Sequence, residues 1–538
     1  MKESVRKRIT KRKVLSAIAC GILTGFVFSA GKTLDRTEAI QFDAHFLTGF
    51  FVCSLACISF LFLVWELWDF VIKKRRQNIK ERRIPFGLCV GIMFVSWLPY
   101  WLSIFPGAFS YDAHDEWKMV ADGIYTTHHP LIHTLFLGGL VEGFYRLFHN
   151  YNIGIAVYTG LQMVLLATIF SYIIRRLNNI FPALALQIVS LAFFSLSPVI
   201  GLFSVSSIKD TLFCGAELAF FLLLYEFFLD RDAFFAKKRN IIELALWGLL
   251  TMMLRKNGVY IVALCVLMII ATSFKYLKSH YREFALLIIV MILPYLIYIG
   301  PITMLFHAKG GEYQEMLSVP IQQMARVYKY NRAELPQEEK EILLNYIPEK
   351  NLDMYKATIS DNVKTDFRND YYKENSMDFY CLWIKWGIRY PMTYVSSFLI
   401  NTVDGWYPGA VIDGYQFDDR SSYFDYRVAP PGEETSILHG FHRYLDSVSH
   451  DEKMQSGVLF VLFFSPGFYL LLFVHFWFYA LSRKNNTFVG AGALHWFHYL
   501  TVLAGPMALV RYELNFFYGL PVFFWLLIYS NKSWKKSE

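Results

Sequence analysis

The sequence predicts an all-α polytopic membrane protein with about 12 transmembrane helices, and three observations lead there. Apolar runs near the roughly 20 residues that a helix needs to cross a bilayer recur from one end of the chain to the other. The composition is 55% hydrophobic and 18% aromatic, with a mean hydropathy of +0.34, more apolar than soluble domains usually are. Basic residues cluster beside the apolar runs: the first thirteen residues hold seven Lys or Arg, and 73–83 reads KKRRQNIKERR. Such clusters anchor the cytoplasmic side of a membrane protein. The net charge of +8 is therefore read as a contact with the bilayer surface and not with nucleic acid.

The first apolar run, 14–31, has no small-residue cleavage site and is followed by further spans, so it reads as a signal anchor. Spans follow at 46–71, 86–105, 153–174, 181–203, 211–229, 258–274, 284–306, 457–481, 488–508 and 512–531, with 241–254 as a short member. The apolar run 131–148 is decided by charge. With the N-terminus in the cytoplasm, 73–83 returns inside and the third span exits. If 131–148 crossed, Arg175-Arg176 and Lys237-Lys238-Arg239 would face outward. If it does not cross, both clusters fall inside, as do FKYLKSHYR at 274–282 and the C-terminal NKSWKKS. The run is therefore expected to be an interfacial or re-entrant helix, with both termini cytoplasmic.

The expected organisation is a basic tail with two extra spans (1–85), a transmembrane core (86–306) whose first outer loop is 106–152, an extracytoplasmic insertion (307–456), and C-terminal spans (457–538). Within the insertion, apolar positions recur at helical spacing and Pro336 beside acidic residues marks a helix start. FLINTV is too short to span. Six of the seven cysteines lie in apolar runs and only Cys381 in a polar one, so no disulfide framework is expected.

The chemistry-bearing residues gather at the outer loop. Asp112 follows the last apolar residue of its span, Phe105, by seven positions, the depth of a membrane interface. A carboxylate there is a candidate general base, made more basic by partial desolvation; it is equally an N-cap for the amphipathic run after it. His128 and His129 precede Pro130 and could meet a phosphate or a metal, or simply mark a helix start. His133 is four residues beyond His129 and could share its face. Lys209-Asp210 opens a span: a snorkelling lysine with its counter-ion, or a second acidic site beside a phosphate-binding lysine. Arg255-Lys256 and Arg511 are basic residues on the outer side, against the usual bias, and a lipid-linked phosphate would account for them. Arg326 is read as a solvated helix face. No P-loop and no G-x-G-x-x-G after a strand is present, so a donor would be carried on lipid.

These motifs resemble the first outer loop of the glycosyltransferase-C superfamily. PGAFSYD (106–112) and GIYTTHHP (123–130) carry the likeness, with SIKD (207–210), RKNGVY (255–260), PIQQMARV (320–327) and WYPG (406–409) similar to an uncharacterised bacterial family related to protein mannosyltransferases and aminoarabinose transferases. The resemblance implies a glycosyltransferase-C-like core in a bacterial plasma membrane. It implies a sugar moved from a polyprenyl-phosphate-linked donor to an envelope glycan, lipid or protein on the outer face. Asp112 would be base or metal ligand and Asp210 its acidic partner. His128, His129, Lys209, Arg255, Lys256 and Arg511 would contact substrate or phosphate. A divalent metal, Mg or Mn, serves only some members, and Asp112 with Asp210 would be its ligands here. The loop departs from a clean Asp-x-Asp, since Asp115 is the next acid. A transporter or flippase for a lipid-linked or anionic precursor is the alternative, and it would use Glu66, Glu217 and Glu243 in or near apolar runs. A non-enzymatic envelope scaffold is the third reading and needs no acidic loop.

Overall fold

A computed structural model describes residues 2–74, 82–411 and 423–529. Most of the basic stretch 73–83 and the C-terminal NKSWKKS lie outside the described residues. Among those described, the secondary structure is helical apart from isolated β-bridges. Among the described residues, eight helices are long and apolar enough to cross a membrane, or up to ten if each of two bent pairs counts as one span. The chain is an all-α, multi-pass membrane protein.

The bends have covalent causes. The expected span 181–203 is two helices, Leu184–Leu196 and Pro198–Ser204, meeting at 58°, and the run at 457–481 is Val458–Phe464 and Pro466–Ser482, meeting at 66°. Pro198 and Pro466 each stand at a first helical position, where the missing N–H is tolerated but the preceding helix cannot continue.

The helix Lys209–Leu229 is the central post. Nearly all of its side chains are buried, as a helix apolar on every face requires. It packs against Tyr151–Ile180, Lys238–Leu254, Asn486–Leu503 and Leu514–Tyr529. Ala44–Phe70 and Tyr281–Leu305 are only 11% buried and form the lipid-facing periphery.

Ion pairs mark the two ends of the bundle. At one end Lys13 bonds Glu66 (2.6 Å) and Asp69 (3.0 Å), and Arg176 bonds Glu226 (2.5 Å) and Glu243 (2.7 Å). The other ends of the same helices carry Lys209 and Arg255, beside Asp112. Leu131–Phe148 has the length and hydropathy of a span. Before it, Thr127 N–H donates to the Lys309 carbonyl (2.8 Å). Just after it, Asn152 Nδ2 donates to the Glu433 carbonyl (2.7 Å), and that strand of loop folds back on the first outer loop through Ala429 N–H to the Phe109 carbonyl (2.8 Å). Tyr151–Ile180 then runs to Arg176 at the far end. Leu131–Phe148 packs on Ala113–Asp122, tied by Trp117 Nε1 to Glu142 Oε1 (2.7 Å).

The insertion has its own hydrophobic core, built on Leu317, Ile321, Met324, Leu343, Tyr346, Phe379 and Trp386. Arg326 corrects the reading of a solvated face. It is buried (4% exposed) and donates to the Glu38 carbonyl and to Tyr355 Oη (3.1 Å), tying the insertion to the loop after the first helix.

Candidate active site

Two loops are stitched together to make the site. Pro106-Gly107 turns the chain out of Phe86–Ser103. Gly107 has φ of 123°, and a Cβ there would lie 2.4 Å from Thr159 Cγ2, so both conformation and space call for glycine. Ala108 N–H then donates to the Val205 carbonyl (3.0 Å), and Ser207 N–H to the Ala108 carbonyl (2.8 Å). Gln162 Nε2 fixes the second loop from below through the carbonyls of Ser204 (3.0 Å) and Ser206 (2.6 Å). This register sets Asp112 beside Lys209. Tyr111, just before, is held in the left-handed region at φ of 53°, a conformation that costs a non-glycine residue of order 1 kcal/mol or more.

Asp112 occupies the N-cap position of Ala113–Asp122 but makes no capping hydrogen bond. Its carboxylate turns instead to Lys209 Nζ and to Arg511, with Nη1 at 3.1 Å from Oδ2 and Nη2 at 3.5 Å from Oδ1. Burial alone would raise this carboxyl, but Arg511 and Lys209 beside it hold it well below the usual carboxylate range. That overturns the expectation of a base strengthened by desolvation: the two cations outweigh the burial.

Asp210 is fully buried behind the same wall. Arg255 Nη1 donates to its Oδ1, and Arg511 Nη1 lies 3.5 Å from its Oδ2. Arg511 thus bridges the two aspartates. Its guanidinium stands between the two carboxylates that were expected to share a metal. Tyr512 lies between the two arginines, with Arg255 Cζ 4.6 Å and Arg511 Cζ 4.8 Å from its ring centre, and Arg511 also covers Tyr111 at 4.6 Å.

Of the eight residues expected at the site, Asp112, His128, His129, Lys209, Arg255, Lys256 and Arg511 line one cavity of about 1080 Å³, and Asp210 backs it. Lys309, Glu315, Asp361 and Lys364 from the insertion also line it. His129 Nδ1 is 3.3 Å from Lys209 Nζ and 3.9 Å from Asp112 Oδ2. Burial and Lys209 push His129 down to about 4, so at neutral pH it is an uncharged acceptor. His128 packs edge-on to His129, ring centres 4.5 Å apart. Asp115 sits at the rim. His133 does not reach the cavity. It is buried, with Nδ1 2.6 Å from Glu116 Oε2 and Nε2 2.7 Å from Tyr158 Oη.

Glu116 is the residue that sequence reasoning passed over. It is fully buried, bonds His133 and Thr134 Oγ1 (3.1 Å), and lies 3.6 Å from Lys209 Nζ. Burial would raise it, but His133 and Lys209 more than offset this and hold it at about 2. Its signal was the spacing, since Asp112 and Glu116 at i and i+4 share one helical face.

The arrangement can bind an anion. Lys209, Arg255 and Arg511 converge on two carboxylates, and Lys256 adds charge at the cavity wall. No curated protein and no solved structure matches the chain. A family model matches residues 121–408, more than half of the chain and inclusive of His128, His129, Lys209, Asp210, Arg255 and Lys256, and the chain therefore belongs to DUF6020, a family of unknown function.

Proposed function

We propose that this chain is a glycosyltransferase that moves a sugar from a polyprenyl-phosphate-linked donor to an envelope acceptor, with a glycosyltransferase-C-like core and twelve membrane crossings. One observation carries the reading: Asp112, the acidic residue of the first-loop motif, shares its cavity wall with Lys209, Arg255 and Arg511. A carboxylate for an acceptor hydroxyl and a cationic cradle for a leaving phosphate are the two parts that such a transfer needs. The placement of the basic clusters supports an outward-facing cavity in a bacterial plasma membrane, with both termini cytoplasmic.

The depressed basicity of Asp112 suits this chemistry. The carboxylate is quenched by Lys209 and Arg511. A donor phosphate entering the cradle offers those cations a stronger, bidentate partner, and each contact withdrawn from Asp112 raises its basicity. The acceptor oxygen then bonds to the anomeric carbon as the bond from that carbon to the phosphate oxygen breaks. The hydroxyl proton passes to Asp112, the polyprenyl phosphate leaves with the bonding electrons, and the anomeric configuration inverts. Arg255 and Lys256 stabilise the charge that develops on the departing phosphate.

The transporter alternative draws on a buried ionisable group in mid-bundle, Glu217, whose Oε2 lies 2.5 Å from His498 Nδ1. The role of Asp112 is tested in cells that lack the native gene and carry wild-type chain or Asp112→Asn. Mass spectrometry of the envelope should show one sugar substituent restored by wild type and absent with the folded variant. Restoration by Asp112→Asn would remove Asp112 as the base.

A further inference from the structure

Asp112, Glu116 and His129 would ordinarily be read as a metal-ligand set. Each brings one ligand atom within 4.8 Å of the others. The two carboxylates stand one turn apart on a helix, and His129 returns to them after the turn that ends it. A carboxylate pair with an imidazole is also the kind of donor set that a divalent cation accepts.

The centre of this set holds a cation already. Lys209 Nζ donates to Asp112 Oδ2, lies 3.3 Å from His129 Nδ1 and lies 3.6 Å from Glu116 Oε1. Of the ammonium's three N–H donors, one serves Asp112 and one faces His129, while Glu116 Oε1 stands at ion-pair distance, beyond a hydrogen bond. Glu116 Oε2 is engaged by His133 and Thr134, whereas Oε1 has no hydrogen-bond partner among the described residues and faces Lys209. The lysine is 8% exposed and opens the buried central helix. The pairing of its loop with Ala108 fixes where that helix begins, so the ammonium is anchored from both sides. Arg511 supplies a second positive charge on the far side of Asp112. Two carboxylates are thus matched by two built-in cations, and a dication placed among the same atoms would stand against the ammonium.

We propose that Lys209 is a tethered substitute for the divalent cation in this carboxylate–imidazole set, so that the native chain takes no metal there and removal of the amine creates a metal site. The role of that charge in holding a donor phosphate rests on the glycosyltransferase reading; the occupancy claim does not. Lys209 then acts as a fixed charge that cannot be chelated away.

The test uses full-length protein in detergent micelles with Mn²⁺ as the probe, its binding followed by the loss of the free-ion paramagnetic resonance signal. Wild type should hold no stoichiometric Mn²⁺. Lys209→Ala should hold one per chain, at least about tenfold tighter than anything wild type shows, and Lys209→Ala with Glu116→Gln should lose it. Melting curves establish that each variant is folded, and Lys209→Gln replaces Lys209→Ala if the smaller side chain does not support folding. One Mn²⁺ per wild-type chain, removed by Asp112→Asn, would overturn the proposal. So would a folded amine-free variant that binds Mn²⁺ no better than wild type. Occupancy is read without turnover, so a chain that behaves as expected here and transfers no sugar would fail the functional reading alone.

Discussion

Arg511 offers the most direct probe of how the site is held together. It is 3% exposed and contacts Asp112 at 3.1 Å and Asp210 at 3.5 Å. Replacing it with Met keeps most of the apolar stem but leaves Asp112 with Lys209 alone and Asp210 with Arg255 alone. Two unit charges at about 3.5 Å and an effective dielectric near 20 attract by roughly 5 kcal/mol. Removing one partner of a buried pair costs about 3–5 kcal/mol in practice. Since both aspartates retain a second cation, we expect about 3 kcal/mol, seen as a fall of several degrees in the melting temperature of the purified protein. The diagnostic step is a double-mutant cycle. Arg511→Met with Asp112→Asn should be less destabilised than the sum of the single variants by about 1–3 kcal/mol, because each single change strands a buried charge that the other removes. Additive effects, or an Arg511→Met protein that melts within a degree of wild type, would refute the bridging role.

Other consequences follow from the same geometry. Glu116 is held at about 2 instead of its ordinary 4.5, so its ion pair stabilises the fold above pH 4.5 and the benefit is lost as pH falls toward 2. Glu116→Gln should therefore melt well below wild type at pH 7, and the gap should narrow at pH 3. Gly258 lets two helices approach at the Arg255 turn, where a Cβ would stand 2.0 Å from the Thr251 carbonyl oxygen. Gly258→Ala should cost about 1–3 kcal/mol as an overpacked contact and weaken the proposed sugar transfer by displacing Arg255. Cys381 is the exposed cysteine of the described residues and lies in the insertion, so a membrane-impermeant maleimide should label intact cells carrying wild type and spare those carrying Cys381→Ser. Labelling only after lysis would invert the orientation.

Hydropathy located the helices because the bilayer imposes one length and one polarity on every span. It does not separate Leu131–Phe148 from a span, since both have the length and polarity of one; only the positions of Arg176 and Lys237 in the sequence argue that this run stays on one side. The Ser-Pro steps at 197–198 and 465–466 contained the information for both bends, but a proline after an apolar run reads equally well as part of a longer span. At the site, Asp112, Lys209, Arg255 and Arg511 were legible because charges at membrane depth need a reason. Their partners were not. That Arg511 bridges Asp112 and Asp210 depends on a contact 399 residues apart in sequence, and the fate of Arg326 depends on Glu38, 288 residues away. Sequence spacing is silent on such pairs. Glu116 was missed because an acid in the first turn of an amphipathic helix has an ordinary explanation in the helix dipole, and only the fold shows it to be buried against Lys209.

The central claim is that this cavity transfers sugar from a polyprenyl-phosphate donor. It is tested most directly by reconstituting the purified chain in liposomes with a panel of radiolabelled polyprenyl-monophosphate sugars and an envelope extract as acceptor. Wild type should consume one donor, release polyprenyl phosphate and leave the label on acceptor in the inverted configuration, while folded Asp112→Asn should do none of these. Equal turnover by the variant, or movement of intact donor across the bilayer with no phosphate released, would contradict the account.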